Sequence, residues 1–340
     1  MIPSFISNTF PNHYTLVTGL YPSVHGIVDN NMYDPEWKRI FTLNDTKEVN
    51  NGSWYGGEPI WVTSRKNNLK SAAIFWPGSE ALIEGLEPNY FVPFNSSLSY
   101  RDRVLKGISW LKENTDTAII LFYFEGVDSS GHQYGPEFNV HMEEEIRKVD
   151  QAIALLVSDI NGLNLFTTNL IIVSDHGMSQ VKEDQIISLD KCINISDTIF
   201  ISYGATTGIF PQESKEIQLM EQLSSCNTNM TVFKKEDFFP SLHYSSNRRI
   251  PPILILANQG WYITNSAFKY SPRGAHGYNT NITDMRAFFL AHGPAFNTTP
   301  PNDQIIFHNL DVYPLLAGLL GIPPAQNNGT LELVGQLLKK

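Results

Sequence analysis

Short apolar runs along the chain predict buried β-strands. Residues 71–76 (SAAIFW) form one run, which stops at a Pro-Gly pair, and residues 117–124 (TAIILFYF) are apolar throughout. Residues 169–173 (NLIIV) form a third run, which ends at a polar cluster. Runs without polar alternation are typical of parallel strands that are covered on both faces. The pattern therefore predicts at least three buried strands.

A helical pattern lies between the last two strands. Within residues 143–159, apolar residues recur at helical spacing and mark one face: Ile146, Val149, Ile153 and Leu156. Strand, helix and strand in this order are typical of a parallel sheet. We therefore predict an α/β fold whose mostly parallel sheet is flanked by helices.

The chain contains neither internal repeats nor an obvious interdomain linker. Its 340 residues exceed an average domain, yet large α/β enzymes of this length are often a single unit. Two polar stretches, residues 44–57 and 241–250, are predicted to be long surface loops. We predict one catalytic domain that covers residues 1–340.

Charge and hydropathy exclude two classes of partner. The net charge of −10 argues against nucleic-acid binding, because such proteins displace counterions with Lys and Arg. No run of 18 or more apolar residues occurs, so the sequence predicts no membrane-spanning helix. The first ten residues do not have the pattern of a signal peptide.

Sequons and cysteines bear on the compartment. Eight Asn-x-Ser/Thr sequons begin at Asn44, Asn51, Asn95, Asn194, Asn229, Asn281, Asn297 and Asn328. Chance gives roughly four or five in a chain this rich in Asn, so the excess favours a secreted glycoprotein. Cys192 and Cys226 are either one disulfide or two buried thiols, and the sequence leaves both open.

Acidic and imidazole side chains follow two of the predicted strands. Asp128 and His132 come after residues 117–124, and Asp175 and His176 come directly after residues 169–173. The carboxyl ends of parallel strands meet at one edge of a sheet, where ligands bind. Carboxylates and imidazoles are the ligands that zinc takes, so we predict a metal site at this edge.

Two further residues complete the predicted site. His276 lies in a Gly-rich loop, and Thr9 precedes Pro11, which suits the first turn of a helix. A hydroxyl beside two cations is how phosphoryl-transfer enzymes generate a nucleophile. Each residue alone has a plain structural explanation, and their joint occurrence favours a two-metal site. The other histidines are predicted to be structural: His13, His25, His141, His243, His292 and His308.

The motifs and their order resemble one known family. The matching segments are TFPNHYTLVTGLYP (9–22), SVHGIVDN (23–30), EPIWVT (58–63), FWPGS (75–79), DSSGHQYGP (128–136), SDHGM (174–178), HGY (276–278) and NNGT (327–330). Together they resemble the short members of the ectonucleotide pyrophosphatase/phosphodiesterase family, within the alkaline phosphatase superfamily. The resemblance implies an alkaline-phosphatase-like fold.

The resemblance also implies roles for the site residues. One Zn²⁺ would be held by Asp128, His132 and His276, and the second by Asp175, His176 and the Thr9 oxygen. Thr9 would attack phosphorus and form a nucleotidyl-threonine intermediate. Asn30 matches a side-chain amide that donates a hydrogen bond to a phosphate oxygen.

Three aromatic residues match the family's nucleobase slot. They are Phe75, Phe94 and Tyr123, and aromatic faces stack on any base. The alternative is that Phe75 and Tyr123 belong to the strand core. Glu80 stands where relatives carry a shorter acidic residue, so the base preference does not transfer.

The sequence departs from the family at its start. Relatives begin with a strand that ends in an Asp, which is a further ligand of the second zinc, and this chain starts after it. We expect its absence to weaken the second site and to expose apolar neighbours and unpaired backbone groups. Asn8 replaces a basic residue, and Asn279 replaces an Asp.

The predicted function is zinc-dependent hydrolysis of nucleotide phosphodiester or pyrophosphate bonds. The implied substrates are dinucleotides, NAD-like molecules or nucleoside triphosphates, and the implied location is extracellular or the cell surface. Membrane attachment would need an anchor that this sequence does not contain. Two alternatives stay open: a choline-type or lysophospholipid phosphodiesterase, and a catalytically impaired binding ectodomain.

Overall fold

The structure, a computed structural model, describes residues 1–114, 116–268, 271–298 and 305–339. Its α-helices are α1 (Thr9–Thr18), α2 (Pro22–His25), α3 (Thr46–Val49), α4 (Ile60–Lys66), α5 (Tyr100–Glu113), α6 (Gly126–Tyr134), α7 (Val140–Gly162), α8 (Glu216–Cys226) and α9 (Val312–Leu320). Across the described ranges, no helix is both long and apolar enough to cross a membrane.

Short strands alternate with these helices. They are β1 (Asn31–Asp34), β2 (Arg39–Thr42), β3 (Lys70–Ile74), β4 (Tyr90–Val92), β5 (Thr117–Phe122), β6 (Leu170–Val173), β7 (Ser179–Gln180), β8 (Ile186–Ser188), β9 (Thr198–Ser202), β10 (Thr206–Pro211), β11 (Met230–Lys234), β12 (Ile253–Ala257), β13 (Tyr262–Thr264), β14 (Gly274–Ala275) and β15 (Phe289–His292).

The strands that lead to the predicted site lie in two separate sheets. β4, β3 and β5 form a parallel sheet in that order, with Ile74 opposite Val92 and Phe122. β6 instead pairs antiparallel with β15. No hydrogen-bonded pairing joins β5 to β6 in the parts of the chain that the structure describes, and both strands are largely half-exposed. The predicted burial of these strands on both faces is therefore wrong.

The two largest of four apolar clusters in the described residues contain most of the buried core. The larger core packs around α1, α4 and α9, and its fully buried members include Tyr14, Trp61 and Tyr313. The second core lies beneath an antiparallel sheet in the order β11, β12, β10 and β9. A disulfide between Cys192 and Cys226, with Cα atoms 5.5 Å apart, attaches α8 to this second region and resolves the choice that the sequence left open.

The two predicted surface loops are partly buried, so that prediction is wrong. Residues 44–57 contain α3, and Trp54 is fully buried, where its indole N–H donates to Glu48. Residues 241–250 bury Tyr244 and Arg249. Arg249 is buried because its guanidinium donates a hydrogen bond to the buried Asp34 carboxylate at 2.8 Å. The polarity of a short segment does not reveal an ion pair with a residue far away in the sequence.

Candidate functional site

Thr9 is the first residue of α1. Asn8 precedes it in an extended conformation, and Pro11 fits the first turn because proline needs no N–H there. The Phe10 N–H donates to Asn30 Oδ1 at 2.8 Å, so the Asn30 amide is oriented with its oxygen toward the helix. Nδ2 of Asn30 takes no part in this bond. A helix N-terminus attracts anions, and the Thr9 hydroxyl is therefore where a phosphate would approach.

A bidentate ion pair fixes the segment between β5 and α6. Arg103 lies on α5 with its side chain buried, and its guanidinium donates to both carboxylate oxygens of Glu125 at 2.6 and 2.8 Å. It also donates to the Tyr123 carbonyl at 2.9 Å. Charge-assisted paired bonds of this kind hold geometry closely. They orient α6, which carries Asp128 and His132.

The first cluster joins α6 to the segment after β14. His132 Nε2 lies 3.1 Å from His276 Nε2, and Asp128 Oδ1 lies 3.6 Å from each of these nitrogens. Asp128 Oδ1 is buried and has no hydrogen-bond partner among the described residues. The three donor atoms lie within 4.8 Å of one another, and they form the one group of three such side chains found in the described residues.

Backbone carbonyls determine the tautomers of the site histidines. His132 Nδ1 bonds to the Gly274 carbonyl at 2.8 Å, and His276 Nδ1 bonds to the Ser7 carbonyl at 2.9 Å. A carbonyl only accepts, so each Nδ1 carries the proton and each Nε2 presents a lone pair. Two lone pairs and a carboxylate oxygen that face one another repel unless a cation lies between them.

The second cluster lies beside the first and includes the Thr9 hydroxyl. His176 Nε2 lies 3.1 Å from Asp175 Oδ2 and 3.4 Å from Thr9 Oγ1. The rings of His176 and His276 stack with centroids 3.7 Å apart. The structure therefore brings together all six residues predicted to bind metal, although their roles stay predictions. The second cluster offers two donor side chains and a hydroxyl, which is the number of protein ligands common in catalytic zinc sites and one fewer than in structural ones.

Charges in the second cluster are strongly coupled. Burial opposes ionisation of Asp175, yet the neighbouring His176 and His13 lower the pKa of Asp175 well below its usual range. Burial also opposes the charged form of His176, but attraction to Asp175 raises the pKa of His176 to about 9. Burial and the two neighbouring imidazoles lower the pKa of His276. A bound metal would take the place of the proton on His176.

His13, to which the sequence assigned only a structural or surface role, lies beside the second cluster. Its Nδ1 lies 2.8 Å from the Thr9 carbonyl and 3.3 Å from Asp175 Oδ2. His13 and Thr9 are four residues apart on α1 and therefore share one helix face. That spacing was the available signal in the sequence. His13 connects α1 to a predicted metal ligand.

The three predicted base-slot residues have different environments. Phe75 is 2% exposed and its ring contacts the Arg103 guanidinium at 4.5 Å, so it is partly a core residue. Phe94 is 54% exposed, and its ring centroid lies 5.4 Å from that of Phe75. Tyr123 lies edge-on to His13 of α1, with ring centroids 4.7 Å apart. The exposed face available for stacking therefore belongs to Phe94.

The sequence profile of one family matches most of the chain. It is described as type I phosphodiesterase/nucleotide pyrophosphatase, and it matches residues 1–279. The chain belongs to this family. This result confirms the resemblance, the alkaline-phosphatase-like fold and membership in a family of hydrolases.

Curated relatives agree with this assignment. Bis(5'-adenosyl)-triphosphatase enpp4 of Xenopus laevis is 38% identical over 331 residues, which are 96% of this chain and 72% of the relative. Ectonucleotide pyrophosphatase/phosphodiesterase family member 5 of Homo sapiens is 37% identical over 335 residues, which are 98% of this chain and 70% of the relative.

Solved structures share the fold. Human ectonucleotide pyrophosphatase/phosphodiesterase 5 superimposes with a TM-score of 0.94 at 36% identity, over 99% of this chain and 90% of that chain. An inactive variant of the murine protein in complex with AMP gives a TM-score of 0.94 at 34% identity, over 100% of this chain and 90% of that chain. Similarity at this level extends to nearly the whole described architecture.

Proposed function

We propose that this chain hydrolyses nucleotide phosphodiester and pyrophosphate bonds through a covalent intermediate on Thr9. The observation that carries the proposal is the position of the Thr9 hydroxyl. It lies at the N-terminus of α1 and 3.4 Å from His176 Nε2, where the two donor clusters meet. A hydroxyl in this environment is suited to attack a phosphorus atom.

The first cluster fits a Zn²⁺ ion. Asp128 Oδ1 is buried without a partner, and the Nε2 lone pairs of His132 and His276 face it and each other. A divalent cation removes this repulsion and satisfies the orphaned oxygen, and the mixed imidazole and carboxylate set suits zinc. We assign the second ion to Asp175, His176 and the Thr9 oxygen. Bound zinc ions would offset the charge of the phosphate and favour the deprotonated hydroxyl.

The side chains of the chain account for the remaining steps. Thr9 Oγ1 forms a bond to phosphorus, and the bond from phosphorus to the leaving oxygen breaks and gives the leaving group its electron pair. Asn30 Nδ2 donates to a non-bridging phosphate oxygen, which is an oxyanion contact worth about 2.7–4 kcal/mol in other enzymes. Water then attacks the same phosphorus, and Thr9 is regenerated as the nucleoside monophosphate departs.

The proposed substrate is a small nucleotide, such as a dinucleotide, an NAD-like molecule or a nucleoside triphosphate. Phe94 exposes an aromatic ring next to Phe75, and a base stacks on such a surface whatever its identity. A relative is named for a bis(5'-adenosyl) triphosphate and another is complexed with AMP, which supports this class. We further propose one catalytic domain over residues 1–340 and an extracellular or cell-surface location, in keeping with the disulfide.

Metal content and single-turnover labelling test the proposal. The chain and a Thr9→Ala variant are assayed for zinc per chain and for hydrolysis of the p-nitrophenyl ester of thymidine monophosphate. We expect two zinc ions in the unmodified chain and a loss of turnover of more than about 10³-fold in Thr9→Ala. Acid quenching with labelled substrate should trap a nucleotide on the unmodified chain and none on the variant.

Controls separate this function from its alternatives. Thr228→Ala removes an exposed threonine after α8 and should leave turnover unchanged. Faster hydrolysis of p-nitrophenylphosphocholine than of the nucleotide ester would favour the choline-type activity. AMP binding by the zinc-loaded chain without turnover of either ester would contradict the enzyme and favour a binding ectodomain.

A further inference from the structure

His276 differs from the other two histidines predicted to bind metal, His132 and His176, in the partners of its Nδ1. His132 and His176 each contact one backbone carbonyl through Nδ1, at 2.8 Å. His276 Nδ1 contacts the Ser7 carbonyl at 2.9 Å and also the side-chain oxygen Oδ1 of Asn8 at 3.0 Å. Among these rings, His276 is therefore the one whose orientation depends on another side chain.

The amide of Asn8 is itself held in one orientation. Its Nδ2 donates to Asp29 Oδ1 at 2.7 Å, so its Oδ1 must face His276. Asn8 is the residue before α1, yet it makes no side-chain cap to that helix. The side chain is used instead to join Asp29 to His276.

Asp29 is a buried carboxylate that receives neutral donors. Besides Asn8, it accepts from the Asn30 N–H at 2.7 Å and from the Ser202 hydroxyl. Burial raises the pKa of Asp29 to about 6, and these hydrogen bonds oppose that shift. The carboxylate thus contacts the residue before the nucleophile and the segment that carries Asn30.

Gly277 makes the close approach of Asn8 to the ring possible. Its φ is +91°, and an added Cβ would lie 2.8 Å from Asn8 Oδ1. That distance is shorter than a side chain tolerates, and the φ value also disfavours residues other than glycine. The backbone after His276 is therefore shaped around the Asn8 amide.

We propose that Asn8 and Asp29 are positioning residues that hold His276 ready to bind metal. The chain of contacts runs from the Asp29 carboxylate through the Asn8 amide to Nδ1 of His276 and leaves Nε2 directed at Asp128 and His132. Outer contacts of this kind typically change metal affinity 10–100-fold. The proposal rests on the first metal site of the proposed function.

A reciprocal exchange of the two side chains tests the proposal. Asn8→Asp places two carboxylates against each other, and Asp29→Asn leaves an amide N–H facing another donor. The double variant N8D/D29N restores one donor, one acceptor and a single charge, with an oxygen still facing His276. Cobalt(II) is titrated into the metal-free chain of residues 1–340, and the visible absorption of the bound ion reports both affinity and ligand geometry.

Each single variant should bind cobalt about 10–100-fold more weakly, and the double variant should return to within about threefold of the unmodified chain. Asn139→Asp, at a true N-cap on α7, is the matched control and should bind normally. Thermal unfolding verifies that every variant folds, so that a folding defect is not mistaken for weak binding.

Three outcomes would contradict either the positioning role or the metal site on which it depends. Folded single variants that bind as tightly as the unmodified chain would refute the positioning role, as would a double variant no better than either single one. If the unmodified chain binds no cobalt, the metal site of the proposed function itself is wrong. Failure of the positioning role and failure of the metal site are therefore distinguishable.

Discussion

Asp34→Asn removes a charge from the interior while preserving the shape of the side chain. The Asp34 side chain is 0% exposed, at the end of β1, and it accepts from the guanidinium groups of Arg248 and Arg249. The Arg249 side chain is 8% exposed and also donates to the Gly26 and Trp54 carbonyls at 2.8 and 2.7 Å. The substitution leaves this buried cation without a counterion.

The expected loss of stability follows from the pKa of Asp34. Burial alone would raise it, but hydrogen bonds from Arg248 and Arg249 outweigh burial and lower the pKa of Asp34 from 3.8 to about 2. A shift of this size corresponds to about 2 kcal/mol of unfolding free energy. Breaking a buried pair from one side typically costs about 3–5 kcal/mol, since the remaining charge stays buried. We therefore expect a loss of about 3–5 kcal/mol at pH 7.

Urea unfolding at pH 7, 5 and 3 measures this effect. A carboxylate with a lowered pKa stabilises the fold above its unfolded pKa of 3.8, and this stabilisation is lost as the pH falls toward about 2. The difference between the unmodified chain and Asp34→Asn should therefore be equal at pH 7 and pH 5, and smaller at pH 3. Asp116→Asn, which breaks an exposed pair with Lys70, is the control and should not change the midpoint. A loss below about 1 kcal/mol at pH 7 would refute the assignment of a buried ion pair.

Three further predictions concern the second core, the site loop and the base slot. Replacing Cys192 and Cys226 by Ala removes a disulfide that spans 34 residues. The free energy of unfolding, measured with urea, should fall by about 4 kcal/mol, and an unchanged midpoint would contradict this expectation. Gly277→Ala, with a Cβ 2.8 Å from Asn8 Oδ1, should lower zinc affinity at least about tenfold, and normal affinity would exclude the proposed close packing. Phe94→Ala should lower kcat/KM for nucleotide esters about tenfold or more through lost stacking. It should leave methyl p-nitrophenyl phosphate, whose retained group has no ring to stack, unaffected, and equal losses on both substrates would disprove a base slot.

Local sequence pattern was enough to locate the elements that carry the site. The apolar runs at residues 71–76, 117–124 and 169–173 correspond to β3, β5 and β6, and the periodic stretch at residues 143–159 lies within α7. These assignments depend on neighbours a few residues apart, which the sequence states directly. The rule that ligands gather beyond the carboxyl ends of strands then predicted that Asp128 and Asp175 lie in one site.

Partners across the fold could not be read in the same way. Nothing in the local pattern indicated that β6 pairs antiparallel with β15. Residues 241–250 have the polarity of a surface loop, yet Arg249 enters the interior because Asp34, 215 residues away, offers a carboxylate. Polarity predicts exposure only until a buried partner of opposite charge compensates the loss of water.

The sequence by itself determined the family, the fold and the identity of the side chains that gather around Thr9. The tertiary structure decided how those side chains are oriented. His13 contacts Asp175, and His276 contacts Asn8 and Ser7, which lies 269 residues before it in the sequence. Chemical type is a property of each residue and is printed in the sequence. The direction of a lone pair depends on hydrogen bonds between residues that only folding brings within 3 Å of each other.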